Sequence, residues 1–171
     1  KGRAVDLSSE RGYLRIDPKE KDKELELREG FTLQMWARYD DDDKGALFSK
    51  GDDYGLVYDG SKFTFTVGDA TLEMDMENPV DTFFHIAASY SPGNEMRLIA
   101  YIDDERKFTK TGSTGSQPAA NTDFILFGVN SSNDFFKGIV DEIRIWQRIL
   151  SEDEIKNNYN RFIVGNEPKI S

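Results

Sequence analysis

The segment Phe136–Ile155, with the sequence FKGIVDEIRIWQRILSEDEI, decides the fold of this chain. Its first half alternates with a period of two, which is typical of a β-strand because successive strand side chains point to opposite faces. The alternation predicts one face with Ile139, Asp141, Ile143 and Ile145, and an opposite face with Val140, Glu142, Arg144 and Trp146. The carboxylate at position 141 is therefore expected on a face that is otherwise apolar.

The second half of the same segment predicts a short helix. Ser151 and Glu154 have the spacing of a capping box, in which two side chains satisfy free backbone N–H groups at the start of a helix. Behind them, Ile155, Tyr159 and Phe162 recur at helical spacing. A single helix after many strands usually covers the end or the edge of a β-sandwich.

Upstream of this segment, the chain contains many short strand patterns separated by turn signals such as Asp59-Gly60 and Ser91-Pro92-Gly93-Asn94. We predict strands at residues 3–7, 12–16, 23–28, 31–39, 45–50, 54–58, 62–67, 70–77, 83–90, 96–102, 105–110, 123–129 and 138–147. Many short strands with one helix predict an all-β sandwich of two antiparallel sheets. Because no boundary signal is found, we treat residues 1–171 as one domain.

The composition argues against several classes of function. The net charge is -10, which disfavours nucleic acid because its phosphates would be repelled. No apolar run approaches the ~20 residues that a membrane span needs. The absence of cysteine excludes disulfides and thiolate metal sites, and the single histidine leaves no triad or zinc site.

Several motifs resemble, in family order, those of the concanavalin A-like jelly rolls, in particular the laminin-G-like and pentraxin-like branch. Besides the closing segment, they are GFTLQMW at 30–36, LFSKG at 47–51, FFHIAASY at 83–90 and AYIDD at 100–104. The resemblance implies a laminin-G-like jelly roll with a short C-terminal helix. It also implies a non-catalytic carbohydrate-binding or adhesion module, bacterial and lectin-like, in a larger extracellular, cell-surface or periplasmic protein. The expected partner is a glycan or another cell-surface ligand.

The acidic run that includes Asp42 and Asp43 is a candidate calcium site, because adjacent carboxylates repel one another and a hard cation relieves that repulsion. The resemblance to pentraxins implies that a second loop, at 129–134, completes the site with Asn130 and with Asn133 or Asp134. A solvated acidic turn without a cation is the alternative. The cofactor that we expect from this reasoning is calcium.

The same two loops carry the candidate ligand-binding side chains. Asn130 and Asn133 offer polar contacts, while Tyr39 and Phe135 offer rings on which a sugar face can stack. Alternation also places Trp36 off the apolar side of its strand, so we keep both a core role and a ligand-stacking role for it.

A second cation site is implied by the resemblance at Asp141, because related sandwiches hold a structural cation at this position of the last long strand. Asp6 is the expected neighbour of Asp141 by the same analogy. Hydrogen bonding of the Asp141 carboxylate to backbone or to an arginine is the alternative, since a buried charge needs a partner.

An enzyme is the main alternative to a binding module. Glu73, Asp75 and Glu77 alternate with Leu72, Met74 and Met76, and glucanases of this fold use the spacing Glu-x-Asp-x-Glu for two carboxylates ~5–5.5 Å apart. The flanking residues offer no tryptophan for a sugar subsite, which favours a solvated strand face instead. A structural or protein-binding module is the third possibility.

Overall fold

A computed structural model describes residues 4–9, 11–18, 25–40, 44–77, 81–102, 106–159 and 161. The first sheet, sheet A, contains β1 (Val5–Asp6), β3 (Phe31–Tyr39), β8 (Phe83–Ser91), β9 (Glu95–Tyr101), β10 (Lys107–Gly112) and β12 (Gly138–Trp146). Its strands lie in the order β1-β12-β3-β8-β9-β10. Every neighbouring pair in sheet A is antiparallel.

The second sheet, sheet B, contains β2 (Leu14–Ile16), β4 (Gly45–Lys50), β5 (Tyr54–Tyr58), β6 (Lys62–Val67), β7 (Ala70–Asp75) and β11 (Ile125–Phe127). Its order is β2-β11-β4-β5-β6-β7, again with antiparallel pairs throughout. The predicted two-sheet sandwich is therefore confirmed. The strand predicted at 23–28 is wrong where it can be checked, because residues 25–28 form no strand.

An aromatic core joins the two sheets. Phe31, on sheet A, has no exposed surface, and its ring lies 5.9–6.3 Å from those of Phe48, Tyr54, Phe65 and Tyr90. Both sheets contribute to this cluster, so burial of large rings drives their association. The alternation predicted for β6 is also confirmed, since its apolar side chains are buried and its threonines are half-buried.

The last strand, β12, departs from the predicted alternation at a β-bulge between Asp141 and Arg144. Glu142 adopts a φ of 53° there, so the strand changes phase. Val140 points into the core before the bulge, and Ile143 packs against the core after it. Asp141 pairs with Trp36 on the outer face of sheet A, the face turned away from sheet B. The expectation that Asp141 shares the face of Ile143 is therefore wrong.

Helix α1 (Glu152–Tyr159) lies against this outer face of sheet A. The predicted capping box is confirmed, because the backbone N–H of Ser151 donates to Glu154 Oε2 at 2.8 Å and that of Glu154 donates to Ser151 Oγ at 3.2 Å. Tyr159 packs its ring against Trp36 at 4.8 Å. The Trp36 ring is therefore a packing partner of the helix, outside the core between the sheets. Helix α1, the one helix among the described residues, has neither the length nor the apolarity to cross a membrane.

Candidate functional site

One end of the sandwich gathers polar side chains from four connections between strands. Strand β3 ends there at Tyr39, β4 begins there at Gly45, and the chain from β11 returns there before β12. We call this end the rim and define it by residues Asp6, Ser8, Arg38, Asp40, Lys44, Asp81, Phe83 and 129–137. Asp42 and Asp43, the predicted calcium ligands, lie outside the described residues.

Among the described residues, contacts join the two halves of the rim, which are the connection from β3 to β4 and the connection from β11 to β12. The backbone N–H of Asp40 donates to the carbonyl oxygen of Lys137 at 3.0 Å. The backbone N–H of Ala46 donates to the backbone carbonyl oxygen of Asp134 at 3.1 Å. The Lys44 ammonium lies 2.9 Å from Asp134 Oδ2. Lys44 and Ala46, which follow the acidic run in sequence, therefore contact Asp134 of the 129–134 loop.

Gly45 sits at the closest approach between these two halves. A Cβ added to Gly45 would lie 2.6 Å from the Cα of Phe136. Phe136 is itself fully buried and packs its ring 5.3 Å from that of Tyr39. The absence of a side chain at position 45 therefore sets the spacing of the rim.

We expect Gly45→Ala to lower the free energy of unfolding by about 1–3 kcal/mol, because the added methyl meets backbone atoms that cannot move aside without strain. Gly55→Ala is the matched control, since a Cβ at Gly55 meets nothing within 4 Å. Chemical unfolding monitored by tryptophan fluorescence measures both. Equal stability of the two variants would contradict the close approach described at Gly45.

Tyr39 corrects one prediction. Its side chain is only 2% exposed and its ring contacts the rings of Tyr58 and Phe136 in the core. Position 39 shares the inward parity of Phe31 along β3, so the same alternation that buries the phenylalanine buries this tyrosine. Tyr39 therefore supports the rim from below and offers no ring to a ligand. Phe135, the other predicted stacking residue, is half-buried.

Asn130 organises the 129–134 loop. Its Oδ1 accepts hydrogen bonds from the backbone N–H groups of Ser132 at 3.1 Å and Asp134 at 3.0 Å. Its Nδ2 donates to Asp134 Oδ2 at 2.8 Å. Asn133 is exposed and has a φ of 61°, a left-handed conformation that asparagine tolerates. Of the two predicted amide ligands, Asn133 thus points to solvent while Asn130 is used within the loop.

Asp134, the candidate carboxylate of this loop, already has two partners on one oxygen. The hydrogen bond from Asn130 and the Lys44 ammonium lower the pKa of this carboxyl. No group of three or more histidine or acidic side chains within the described residues has a geometry that could hold a metal ion.

Asp6 and Asp141, the pair predicted to hold a second cation, each accept a hydrogen bond from the backbone. Asp6 Oδ1 accepts from the backbone N–H of Ser8 at 2.9 Å, and the hydrogen bonds from Ser8 lower the pKa of Asp6. Asp141 Oδ1 accepts from the backbone N–H of Glu142 at 2.8 Å. The bulge thus gives Asp141 the backbone partner that the sequence analysis named as the alternative to a cation.

The rim also contains a polar cluster that the sequence analysis did not identify. Arg38 Nε donates to Asp40 Oδ1 at 2.9 Å, and Ser8 Oγ donates to Asp40 Oδ2 at 2.6 Å. The Asp40 carboxylate raises the pKa of Arg38. Phe83 lies beside this cluster, with its ring centroid 5.7 Å from the guanidinium carbon of Arg38. The alternation of β8 could have indicated that Phe83 is exposed. Successive strand side chains point to opposite faces, and Phe84 is the one that is buried in the core.

Of the acidic residues of the enzyme alternative, Glu73 and Asp75 lie on the solvent face of β7, an edge strand of sheet B, and Glu77 follows the end of this strand. Glu73, Asp75 and Glu77 are exposed, and Glu73 pairs with Lys62 at 2.7 Å. Leu72, Met74 and Met76 are buried beneath them, in the alternation that the sequence predicted. This arrangement is that of a solvated strand face.

A protein-family model described as the concanavalin A-like lectin/glucanases superfamily matches residues 9–156. No curated protein matches the chain in sequence. The fold is similar to that of the binding domain of botulinum neurotoxin DC, in a structure with rat synaptotagmin II, at a TM-score of 0.67 and 13% identity. That alignment covers 92% of this chain and 42% of the other.

Two further solved structures have a similar fold. One is a structure of botulinum neurotoxin type C, whose cell entry depends upon interaction with two ganglioside molecules. It aligns at a TM-score of 0.65 and 12% identity, and the alignment covers 91% of this chain and 41% of the toxin chain. A native heptameric SAP-like pentraxin from Limulus polyphemus aligns at a TM-score of 0.57 and 13% identity. That alignment covers 74% of this chain and 68% of the pentraxin chain. This chain spans about 40% of the length of the toxin domains that it matches.

Proposed function

We propose that this chain, which belongs to the concanavalin A-like lectin/glucanases superfamily, is a non-catalytic module that binds glycans through its rim. The superfamily hosts both binding domains and glycanases, so the assignment must come from the site. The observation that carries it is the rim, where hydrogen bonds and ion pairs hold two chain segments together and leave Asn133 and Phe83 exposed.

Two further observations support a binding role. The solved structures with a similar fold include toxin binding domains and botulinum neurotoxin type C, whose cell entry depends upon interaction with two ganglioside molecules. The acidic residues of the enzyme alternative lie on an exposed strand, with Glu73 in an ion pair with Lys62. We place the module in an extracellular or cell-surface protein, as part of a longer chain, where repetition would raise the avidity of weak single sites.

An immobilised panel of neutral and sialylated oligosaccharides tests this proposal. We expect saturable binding of at least one glycan, weakened by Asn133→Ala, with no cleavage product detected by chromatography. Thr71→Ala, on the exposed face of β7, is the control and should bind like the parent protein. Absence of binding across the panel would overturn the glycan proposal. Hydrolysis that Glu77→Gln abolishes would replace it with the enzyme alternative.

Calcium stays a prediction from the sequence, and its test follows from the ion pair at the rim. Because the Lys44 ammonium occupies Asp134 Oδ2, we expect Lys44→Gln to increase the stabilisation that calcium gives. A ligand at 100 times its Kd stabilises the folded state by about 2.7 kcal/mol. Thermal melting in calcium and in excess chelator measures the effect. Identical melting temperatures in both buffers, for both proteins, would remove calcium from this rim.

A further inference from the structure

Phe83 is a large aromatic side chain at the surface of a protein that buries most of its rings. It is 40% exposed, whereas the next residue, Phe84, has no exposed surface. As the first residue of β8, it lies directly opposite Arg38 on the outer face of sheet A. Its ring therefore lies at the rim. The neighbouring pair on the same face, Trp36 and His85, is where Tyr159 of helix α1 packs.

Arg38 is held in place on the other side by the Asp40 carboxylate. Within the described residues, Arg38 donates its one hydrogen bond through Nε, so both Nη groups keep donors for a ligand. Asp40 is in turn oriented by Ser8. A ring, a planar donor and a planar acceptor are thus held together before any ligand arrives, which reduces the ordering cost of binding.

This combination matches the two chemically different sides of a pyranose sugar. The C–H groups on one face of the sugar pack on an aromatic ring. Its vicinal hydroxyls can accept from the Arg38 guanidinium and donate to the Asp40 carboxylate, and such charge-assisted hydrogen bonds are stronger than neutral ones. A simple peptide or lipid surface would use the ring without needing the paired donor and acceptor.

The charge around the cluster favours a neutral sugar over an acidic one. Asp40 accepts a hydrogen bond from Arg38, and the negative charges of Asp40, Asp81 and Asp6 all raise the pKa of Arg38. The whole chain has a net charge of -10. A sialylated or uronic sugar would have to approach against this field.

We infer that Phe83, Arg38 and Asp40 form a subsite for a neutral pyranose, with the sugar stacked on Phe83 and hydrogen-bonded to Arg38 and Asp40. The inference rests on the proposed glycan-binding function and names the part of the rim that performs it. Phe83 would be the residue that determines affinity, and Arg38 the residue that fixes sugar orientation.

The test compares two phenylalanines in similar surroundings. Phe124 is 42% exposed and lies 4.4 Å below the guanidinium carbon of Arg15, but it belongs to the β2–β11 side of sheet B. Lactose, cellotetraose, chitotetraose and 3′-sialyllactose are the probes, measured by titration calorimetry and saturation-transfer NMR. We expect Phe83→Ala to weaken binding of a neutral probe roughly tenfold, Phe83→Trp to restore it, and Phe124→Ala to leave it unchanged.

The possible outcomes separate the subsite from the proposed function. Loss of binding in Phe124→Ala with retention in Phe83→Ala would overturn the subsite while leaving glycan binding in place. Tighter binding of sialyllactose than of lactose, dependent on Arg38, would overturn the choice of a neutral sugar. If none of the probes or panel glycans binds, the proposed function fails and the subsite fails with it. Equal melting temperatures of the two alanine variants ensure that the comparison reports binding.

Discussion

We expect Arg144→Met to lower the free energy of unfolding by about 3–5 kcal/mol, because removing one partner of a buried ion pair is strongly destabilising. Arg144 is 8% exposed and Glu142 is 7% exposed. Arg144 Nη2 lies 3.0 Å from Glu142 Oε2, on the outer face of sheet A. Methionine matches the length of the arginine stem and fills much of the same space, so the loss of stability reports the guanidinium group and not the packing of the stem.

The same guanidinium also holds the end of the chain's helix. Arg144 Nη1 donates to the carbonyl oxygen of Asn158 at 3.1 Å, and Nη2 donates to that of Arg161 at 2.7 Å. The last carbonyls of a helix have no partner within the helix and carry partial negative charge. Arg144 satisfies them from the sheet, so we expect Arg144→Met to loosen helix α1 as well as to lower global stability.

Arg148→Met is the matched control for this prediction. Arg148 pairs with Glu154 at 2.7 Å, but the two side chains are 54% and 42% exposed. An exposed pair of this kind contributes only about 0–1 kcal/mol. Urea unfolding of both variants gives the comparison, and hydrogen exchange of the α1 amides reports the helix. If the free energy of unfolding falls by a similar amount in the two variants, the buried pair of Arg144 contributes no more to stability than the exposed pair of Arg148.

The closing segment shows both the strength and the limit of sequence analysis. The capping box at Ser151 and the change from strand to helix depend on residues close together in sequence, so local spacing predicted them. The bulge after Asp141 depends instead on how β12 pairs with β3, which is far away in the chain. Alternation alone therefore assigned Asp141 to the wrong face.

The rim was predicted in outline and revised in detail. Family order predicted that the acidic run lies beside the 129–134 loop, and Lys44, the described residue that follows the run, pairs with Asp134 of that loop. Which aromatic side chains are exposed there depends on the three-dimensional packing. Tyr39 and Phe83 both lie at strand ends, yet the first is in the core and the second is at the surface. The alternation of inward and outward positions along each strand distinguishes the two residues. Their nearness in sequence to the loops of the rim does not.

His85 is the second residue whose environment predicts a large effect. Its imidazole is 1% exposed, on the outer face of sheet A beneath helix α1. The rings of Trp36, Tyr101 and Tyr159 lie 5.6, 6.3 and 5.7 Å from it. Burial, followed by the positive charge of Arg144, lowers the pKa of His85 from 6.5 to about 3. Arg144, the charged group that contributes to this shift, lies on β12.

The direction of the pH effect follows from these two pKa values. Below pH 6.5 the unfolded chain binds a proton at His85, while the folded protein does not bind it until the pH approaches about 3. Stability is therefore complete above pH 6.5 and is lost progressively as the pH falls toward 3. At 1.36 kcal/mol per pH unit, the loss between neutral pH and pH 5 is about 2 kcal/mol.

We expect the free energy of unfolding to fall by about 2 kcal/mol between pH 7.5 and pH 5, and His85→Phe to remove that dependence. His85 is the only histidine in the chain, and the carboxyls with lowered pKa, such as Asp134 and Glu154, act mainly below pH 5. Urea unfolding at both pH values measures the change. The imidazole NMR signals, which belong to a single residue, should keep their neutral shifts throughout this range. An imidazole that titrates near pH 6.5 in the folded protein would show that helix α1 does not seal it from water.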